Sequence, residues 1–96
     1  MSFPKLVYRV HALQRMFERK IHPDEVTLVL HSGKVIAEYP EDRPLASYLI
    51  TGRGLERTLH IVAADDFKNQ ETVIITVYLP DPSLWEDDYQ RRRQTL

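Results

Sequence analysis

The hydrophobic pattern changes period once, near residue 34. Before that point apolar residues recur at helical spacing, and after it they alternate. Over Val10–Ile21 the positions Ala12, Leu13, Met16 and Phe17, with the stem of Lys20, form one apolar side. His11, Arg15 and Arg19 fall on the opposite side, with Glu18 and His22 close by. The spacing predicts an amphipathic helix with one side for a core and one cationic, titratable side. His22-Pro23-Asp24-Glu25 reads as a second helix start, because proline suits the first helical position and acids suit the positive dipole end. Val26, Val29 and Leu30 point inward in this second helix, and Ser32-Gly33 marks its end. Leu6–Val10 is compatible with a short edge strand leading into the first helix.

Beyond Lys34, four alternating runs read as strands: Val35–Tyr39, Ala46–Thr51, Arg57–Ala64 and Thr72–Leu79. The breaks between them are short, which favours an antiparallel meander. Ser83-Leu-Trp-Glu86 has the form of a capping box, so a short last helix is expected from there to about Arg93. The fold class expected is therefore α+β. Two N-terminal helices pack on a four-stranded antiparallel sheet, and a short C-terminal helix follows. Alternation places Leu59, Ile61, Ala63, Val73, Ile75 and Val77 against the helices. His60, Val62, Thr76 and Tyr78 take the other face, with His60 opposite Thr76 and diagonal to Tyr78.

Composition narrows the class. Ninety-six residues with 43% hydrophobic content make one domain, residues 1–96, with material for a single core. No apolar run has membrane-spanning length, and the N-terminus lacks the apolar core of a signal peptide. The absence of cysteine excludes disulfides, thiol catalysis and thiolate metal sites and fits a cytoplasmic protein. The net charge of −1 is unevenly spread: residues 1–34 carry six basic against three acidic groups, residues 35–88 four against eleven, and the tail adds Arg91, Arg92 and Arg93. Nucleic acid held by bulk charge calls for a more basic chain, so any RNA contact is local to the helix stripe or the tail. The four histidines show no metal-ligand spacing, and no cofactor motif is present.

Several segments together carry a family resemblance. They are Tyr8-Arg-Val-His11-Ala-Leu-Gln-Arg15-Met-Phe-Glu-Arg19, Ile21-His-Pro-Asp-Glu-Val26, Gly33-Lys-Val-Ile36 with Tyr39-Pro40, Leu59-His60-Ile-Val, and Ile75-Thr-Val-Tyr78-Leu-Pro80-Asp-Pro with Trp85. The combination resembles a bacterial domain-of-unknown-function family of small stand-alone proteins, often encoded beside MqsA/YgiT-type zinc-finger antitoxins. That family in turn resembles the RelE and BrnT toxins. The resemblance implies a RelE-like domain, metal-free RNA cleavage and an antitoxin partner. It also implies a role for Tyr78, which sits where RelE-type toxins carry a working tyrosine near the end of the last strand. The chain departs from those toxins in its slightly acidic balance and in lacking their lysine-rich helix.

Metal-free RNA cleavage through a 2′,3′-cyclic phosphate needs a base for the ribose 2′-hydroxyl, an acid for the leaving oxygen and cations for the phosphorane. Histidine and arginine suit these roles. The candidate catalytic residues are His11, Arg15, His60 and Tyr78, with Arg19 as a substrate-binding cation. His60 or Tyr78 takes the base role and His11 the acid role, or the reverse, and Arg15 clamps phosphate. Each residue also has a plain structural reading: His11 as a helix-end residue, Arg15 and Arg19 in surface ion pairs, His60 as a satisfied strand histidine, Tyr78 as a packed aromatic. The alternative function is a non-catalytic binding module of the same fold, holding a protein partner or an anion.

Overall fold

The computed structural model describes residues 3–94. Five strands and two helices follow in the order β1 (Lys5–Tyr8), α1 (Val10–Arg19), α2 (Pro23–Ser32), β2 (Lys34–Tyr39), β3 (Ser47–Arg53), β4 (Thr58–Asp66) and β5 (Glu71–Tyr78). The strands form one sheet in the order β1-β5-β4-β3-β2. β2 to β5 are the antiparallel meander, whereas β1 pairs with β5 in parallel, Lys5 against Glu71 through Tyr8 against Ile74.

The expected four-stranded antiparallel sheet is therefore corrected to a five-stranded mixed one. The first strand precedes both helices, which form the crossover between β1 and the meander. A parallel neighbour needs such a crossover, and α1 and α2 supply it. The expected C-terminal helix is also corrected. Trp85 pairs with Arg92 in an isolated antiparallel bridge, and residues 84–93 form an irregular hairpin. Ser83 does not cap a helix; its backbone and hydroxyl both donate to the Asp81 carboxylate. This tail carries one buried large side chain, Trp85, and has no apolar face at helical period to bury.

The core lies between the helices and one sheet face. Ala12 and Met16 of α1 and Val26, Val29 and Leu30 of α2 meet Ile50, Leu59, Ile61, Ala63, Ile74 and Val77. The α2 expectation holds at every position. In α1 only Ala12 and Met16 are buried; Leu13 and Phe17, expected inside, are 49% and 87% exposed. A β-bulge interrupts β5, where Val62 pairs with Thr76 but Ala63 pairs with Ile74. The extra residue, Ile75, shifts the alternation by one, so Ile74 takes the core position expected for Ile75 and Val73. The helix ends at Gly33 for a reason other than a left-handed turn. Its φ is −81°, but a Cβ there would lie 2.5 Å from the Val29 carbonyl oxygen and 2.6 Å from that of Thr51. Glycine thus allows α2 to seat directly on β3.

One buried charge ties the layers together. Glu25, 4% exposed, sits in the first turn of α2. Arg57, the Leu55 N–H and the His22 N–H all donate to its carboxylate, at 3.2, 3.3 and 3.4 Å. Arg57 also donates to the Lys20 carbonyl at 2.7 Å, so the end of α1, the start of α2 and the β3–β4 turn meet at one point. Burial pushes the Glu25 pKa up, but these hydrogen bonds and the Arg57 charge outweigh it and hold the carboxyl below its ordinary range. Removing one partner of such a pair leaves the other desolvated. Glu25→Ala is expected to cost about 3 kcal/mol in urea denaturation. Arg57→Ala should cost at least as much, because it strands the buried Glu25 carboxylate, whereas Glu25→Ala leaves a guanidinium that is 34% exposed and partly hydrated.

Candidate functional site

The second sheet face, away from the helices, holds a buried polar cluster. Leu59 and Ile61 of β4 face the helices, so the intervening His60 must face the other way. It is nevertheless fully buried, because the C-terminal hairpin lies over it. Its Nε2 is 2.8 Å from the Tyr89 carbonyl oxygen and its Nδ1 is 3.2 Å from the Tyr78 hydroxyl. A carbonyl only accepts, so Nε2 carries the proton in the neutral ring. Nδ1 is then the acceptor, and the Tyr78 O–H donates to it. The three groups form a directed chain from phenol to imidazole to carbonyl.

The hairpin builds the far end of this chain. Glu86 N–H donates to the Arg91 carbonyl and Arg93 N–H to the Leu84 carbonyl, both at 2.8 Å. Tyr89 sits at the turn with φ of 58°, a left-handed conformation unusual for a residue with a side chain. The Trp85 ring meets His60 edge-on, with centroids 4.5 Å apart, and Arg92 lies over Trp85 at 5.4 Å. Lys34 of β2 donates to Gln90 at 3.2 Å and anchors the hairpin from the side. Thr51, paired across β3 with His60, is buried, and its hydroxyl has no hydrogen-bond partner among the described residues. An orphaned hydroxyl of this kind costs roughly 1–3 kcal/mol.

Burial lowers the His60 pKa below its ordinary value, partly offset by the Tyr89 carbonyl, which favours the protonated ring. Burial raises the Tyr78 pKa, and the Tyr39 hydroxyl adds to this, while the Arg92 charge opposes both. Arg92 makes no ion pair with a carboxylate among the described residues, whereas Arg91 pairs with Asp88 and Arg93 with Glu86 and Asp87.

The five residues singled out in the sequence are not brought into one cluster. His60 and Tyr78 are, and they pair directly rather than diagonally, because the hairpin turn sets the register one residue along and the bulge at Ile75 adds a second. His11, Arg15 and Arg19 are exposed on α1, which packs on the other sheet face. Arg15 donates to Glu18 at 3.1 Å. His11 is not the α1 cap; that position belongs to Arg9, with no side-chain hydrogen bond. His22 does cap α2, accepting from the Asp24 N–H at 3.0 Å. Tyr89 and Thr51 are not singled out by the sequence, and Arg92 enters there only as one of three tail arginines. A backbone carbonyl has no sequence signature, and the hairpin that presents it was read as helix. Among the described residues no group of three metal-ligating side chains converges. A concavity of about 270 Å³ near the end of α1 is lined by Lys20, Glu25, Leu55, Glu56 and Arg57, so its charged walls are the structural ion pair described above.

The chain matches a known family model. The model of a domain of unknown function, DUF4258, covers residues 8–79. The match includes His11, Arg15, Arg19, His60 and Tyr78 and stops before the hairpin that carries Tyr89 and Arg92. No curated protein and no solved structure matches the chain.

Two outcomes follow from this geometry. A histidine whose folded pKa lies below its unfolded value binds its proton more readily in the unfolded chain. It therefore contributes stability above about pH 6.5 that is lost as pH falls toward the folded pKa. Glu25 acts in the same direction, but from about pH 4.5 downward. Thermal melts should show a loss between pH 7 and 5 that is reduced in His60→Gln, and a further loss below pH 4.5 that is not. Arg15→Ala, by contrast, should change stability by less than about 0.5 kcal/mol, as expected of an exposed i,i+3 pair.

Proposed function

The chain belongs to the DUF4258 family, and we propose that it is a metal-independent ribonuclease, the toxin of a toxin–antitoxin pair, acting through Tyr78 and His60. The observation that carries this reading is the directed chain Tyr78 O–H, His60 Nδ1, His60 Nε2–H, Tyr89 carbonyl. A half-buried phenol backed by a neutral imidazole, itself oriented by a fixed acceptor, is the arrangement of an activated acid–base pair. The resemblance to RelE and BrnT toxins supports the same reading and the same tyrosine.

In this reading the ribose 2′-hydroxyl gives its proton to the Tyr78 oxygen as Tyr78 passes its own to His60 Nδ1. The 2′-oxygen forms its bond to phosphorus, the bond to the 5′-oxygen breaks, and that oxygen takes a proton from solvent. A 2′,3′-cyclic phosphate remains. The imidazolium formed on His60 keeps both N–H groups satisfied, one by Tyr78 and one by Tyr89. Arg92, which lies over Trp85 and has no carboxylate partner among the described residues, supplies charge to the phosphorane. His11, Arg15 and Arg19 are left outside this step. The proton path needs a neutral His60, so activity should rise along one acid limb with its midpoint below about pH 6.5.

The test is cleavage of a mixed-sequence RNA in EDTA. The expected products carry cyclic-phosphate ends. Tyr78→Phe and His60→Ala should each lower the rate about 10²- to 10⁴-fold. Arg92→Ala should lower it less and leave the pH profile in place. Cleavage that survives Tyr78→Phe overturns the assignment. The burial of His60 and the acidic balance of residues 35–88 favour a second reading, a non-catalytic binding module. That reading stands if the folded protein cleaves no RNA.

A further inference from the structure

The row of side chains that contains His60 runs across four strands. The ladders place Lys34 of β2 against Thr51 of β3, Thr51 against His60 of β4, and His60 against Tyr78 of β5, so all four share the second sheet face. Neighbouring strands lie roughly 4.8 Å apart, which sets Lys34 and His60 on either side of Thr51. Each of the three offers a donor: the Lys34 ammonium, the Thr51 hydroxyl and the His60 Nε2–H. Lys34 has no carboxylate partner among the described residues. Thr51 is 5% exposed, and its hydroxyl has no hydrogen-bond partner among them.

The C-terminal hairpin covers the other two donors. Two consecutive residues at its turn do so with oxygen atoms. The Tyr89 carbonyl lies 2.8 Å from His60 Nε2, and the Gln90 side-chain oxygen lies 3.2 Å from the Lys34 ammonium. Among the described residues these are the hairpin's hydrogen bonds to the sheet. Its remaining bonds are internal, from Glu86 N–H to the Arg91 carbonyl, Arg93 N–H to the Leu84 carbonyl and the Arg93 side chain to the Pro82 carbonyl. Its acids are paired internally too, Asp88 with Arg91, and Glu86 and Asp87 with Arg93, so none of them neutralises Lys34. It joins the domain through Pro80-Asp81-Pro82, beyond β5 and beyond the family match. A unit bonded mostly to itself and attached at one end can lift off the sheet whole.

We propose that Lys34, Thr51 and His60 form a phosphate-binding site and that the hairpin is its built-in competitor. In the closed state the Tyr89 and Gln90 oxygens stand where two phosphate oxygens would bind. They leave the middle donor, Thr51, unused. A phosphate group centred over Thr51 accepts from all three donors at once. A tetrahedral oxyanion has enough oxygens for three donors, whereas a planar carboxylate has two. The phosphate is either the free ion or the monoester of a nucleotide. Lifting the hairpin takes the Tyr89 carbonyl off His60, so a bound phosphate and the Tyr78–His60 relay exclude each other. The site stands without that relay, and its test reads binding rather than cleavage.

The test uses the full chain and inorganic phosphate, titrated against chloride at constant ionic strength. Trp85 is the sole tryptophan and is buried against His60, so its fluorescence reports the position of the hairpin. Phosphate should give a saturable red shift of the emission, with a midpoint in the millimolar range. Thr51→Val should weaken binding about threefold or more and raise the melting temperature, because it removes an orphaned hydroxyl that only the phosphate satisfies. Gln90→Ala removes the competitor's hold on Lys34 and no donor of the site, so it should tighten binding about two- to fivefold. Adenosine 5′-monophosphate in a parallel titration separates the two sources. Tighter binding than phosphate assigns a nucleotide, and weaker binding assigns the free ion. No saturable shift, the same shift with chloride alone, unchanged affinity in Thr51→Val, or affinity in Gln90→Ala no higher than in the parent overturns the proposal.

Discussion

Everything in this molecule depends on the central strand β4 being buried on both faces. Leu59 and Ile61 meet the helices, and His60 between them is covered by the C-terminal hairpin. A strand enclosed on two sides normally carries apolar residues throughout. Here one position is a histidine, and the structure must supply partners for both ring nitrogens or leave a polar group stranded. Tyr78 on the neighbouring strand and the Tyr89 carbonyl above do so. The hairpin thus seals the second face and completes the polar cluster. Its residues hold each other by short backbone hydrogen bonds, and Trp85 is its one apolar anchor.

The bulge at Ile75 follows from the same constraint. Without it the register set near the turn would place Val77 opposite His60 and Tyr78 opposite Leu59, on the helix side. The additional residue moves Tyr78 directly opposite His60 and lets Ile74 and Val77, three residues apart, both face the helices. One local irregularity satisfies the buried imidazole and repacks the core side of β5.

The helical layer is organised by a different constraint, the buried carboxylate of Glu25. It gathers the end of α1, the start of α2 and the β3–β4 turn, and its proton affinity is lowered by the groups it joins. With the helices held at that end and by the seating of α2 at Gly33, α1 needs only Ala12 and Met16 to contact the sheet. The rest of its surface is free of structural duty, which explains both the stranded cationic stripe and the exposed Leu13 and Phe17.

The sequence alone determined what local period and turn chemistry determine. The two helices, the four strands of the meander, the inward residues of α2 and the shared sheet face of His60 and Tyr78 were all legible, because each is set by neighbours a few residues away. Four features belonged to the tertiary structure alone. The parallel partner of β1 lies more than sixty residues along the chain, and no local pattern marks it. The bulge exists because of what both faces of β4 must bury. The tail forms a hairpin because Trp85 finds His60, a contact that outweighs the capping signal at Ser83. The separation of His11, Arg15 and Arg19 from His60 and Tyr78 follows from the sheet standing between them. Helical spacing shows which residues share a face, but only the packing of that helix decides what the face looks upon.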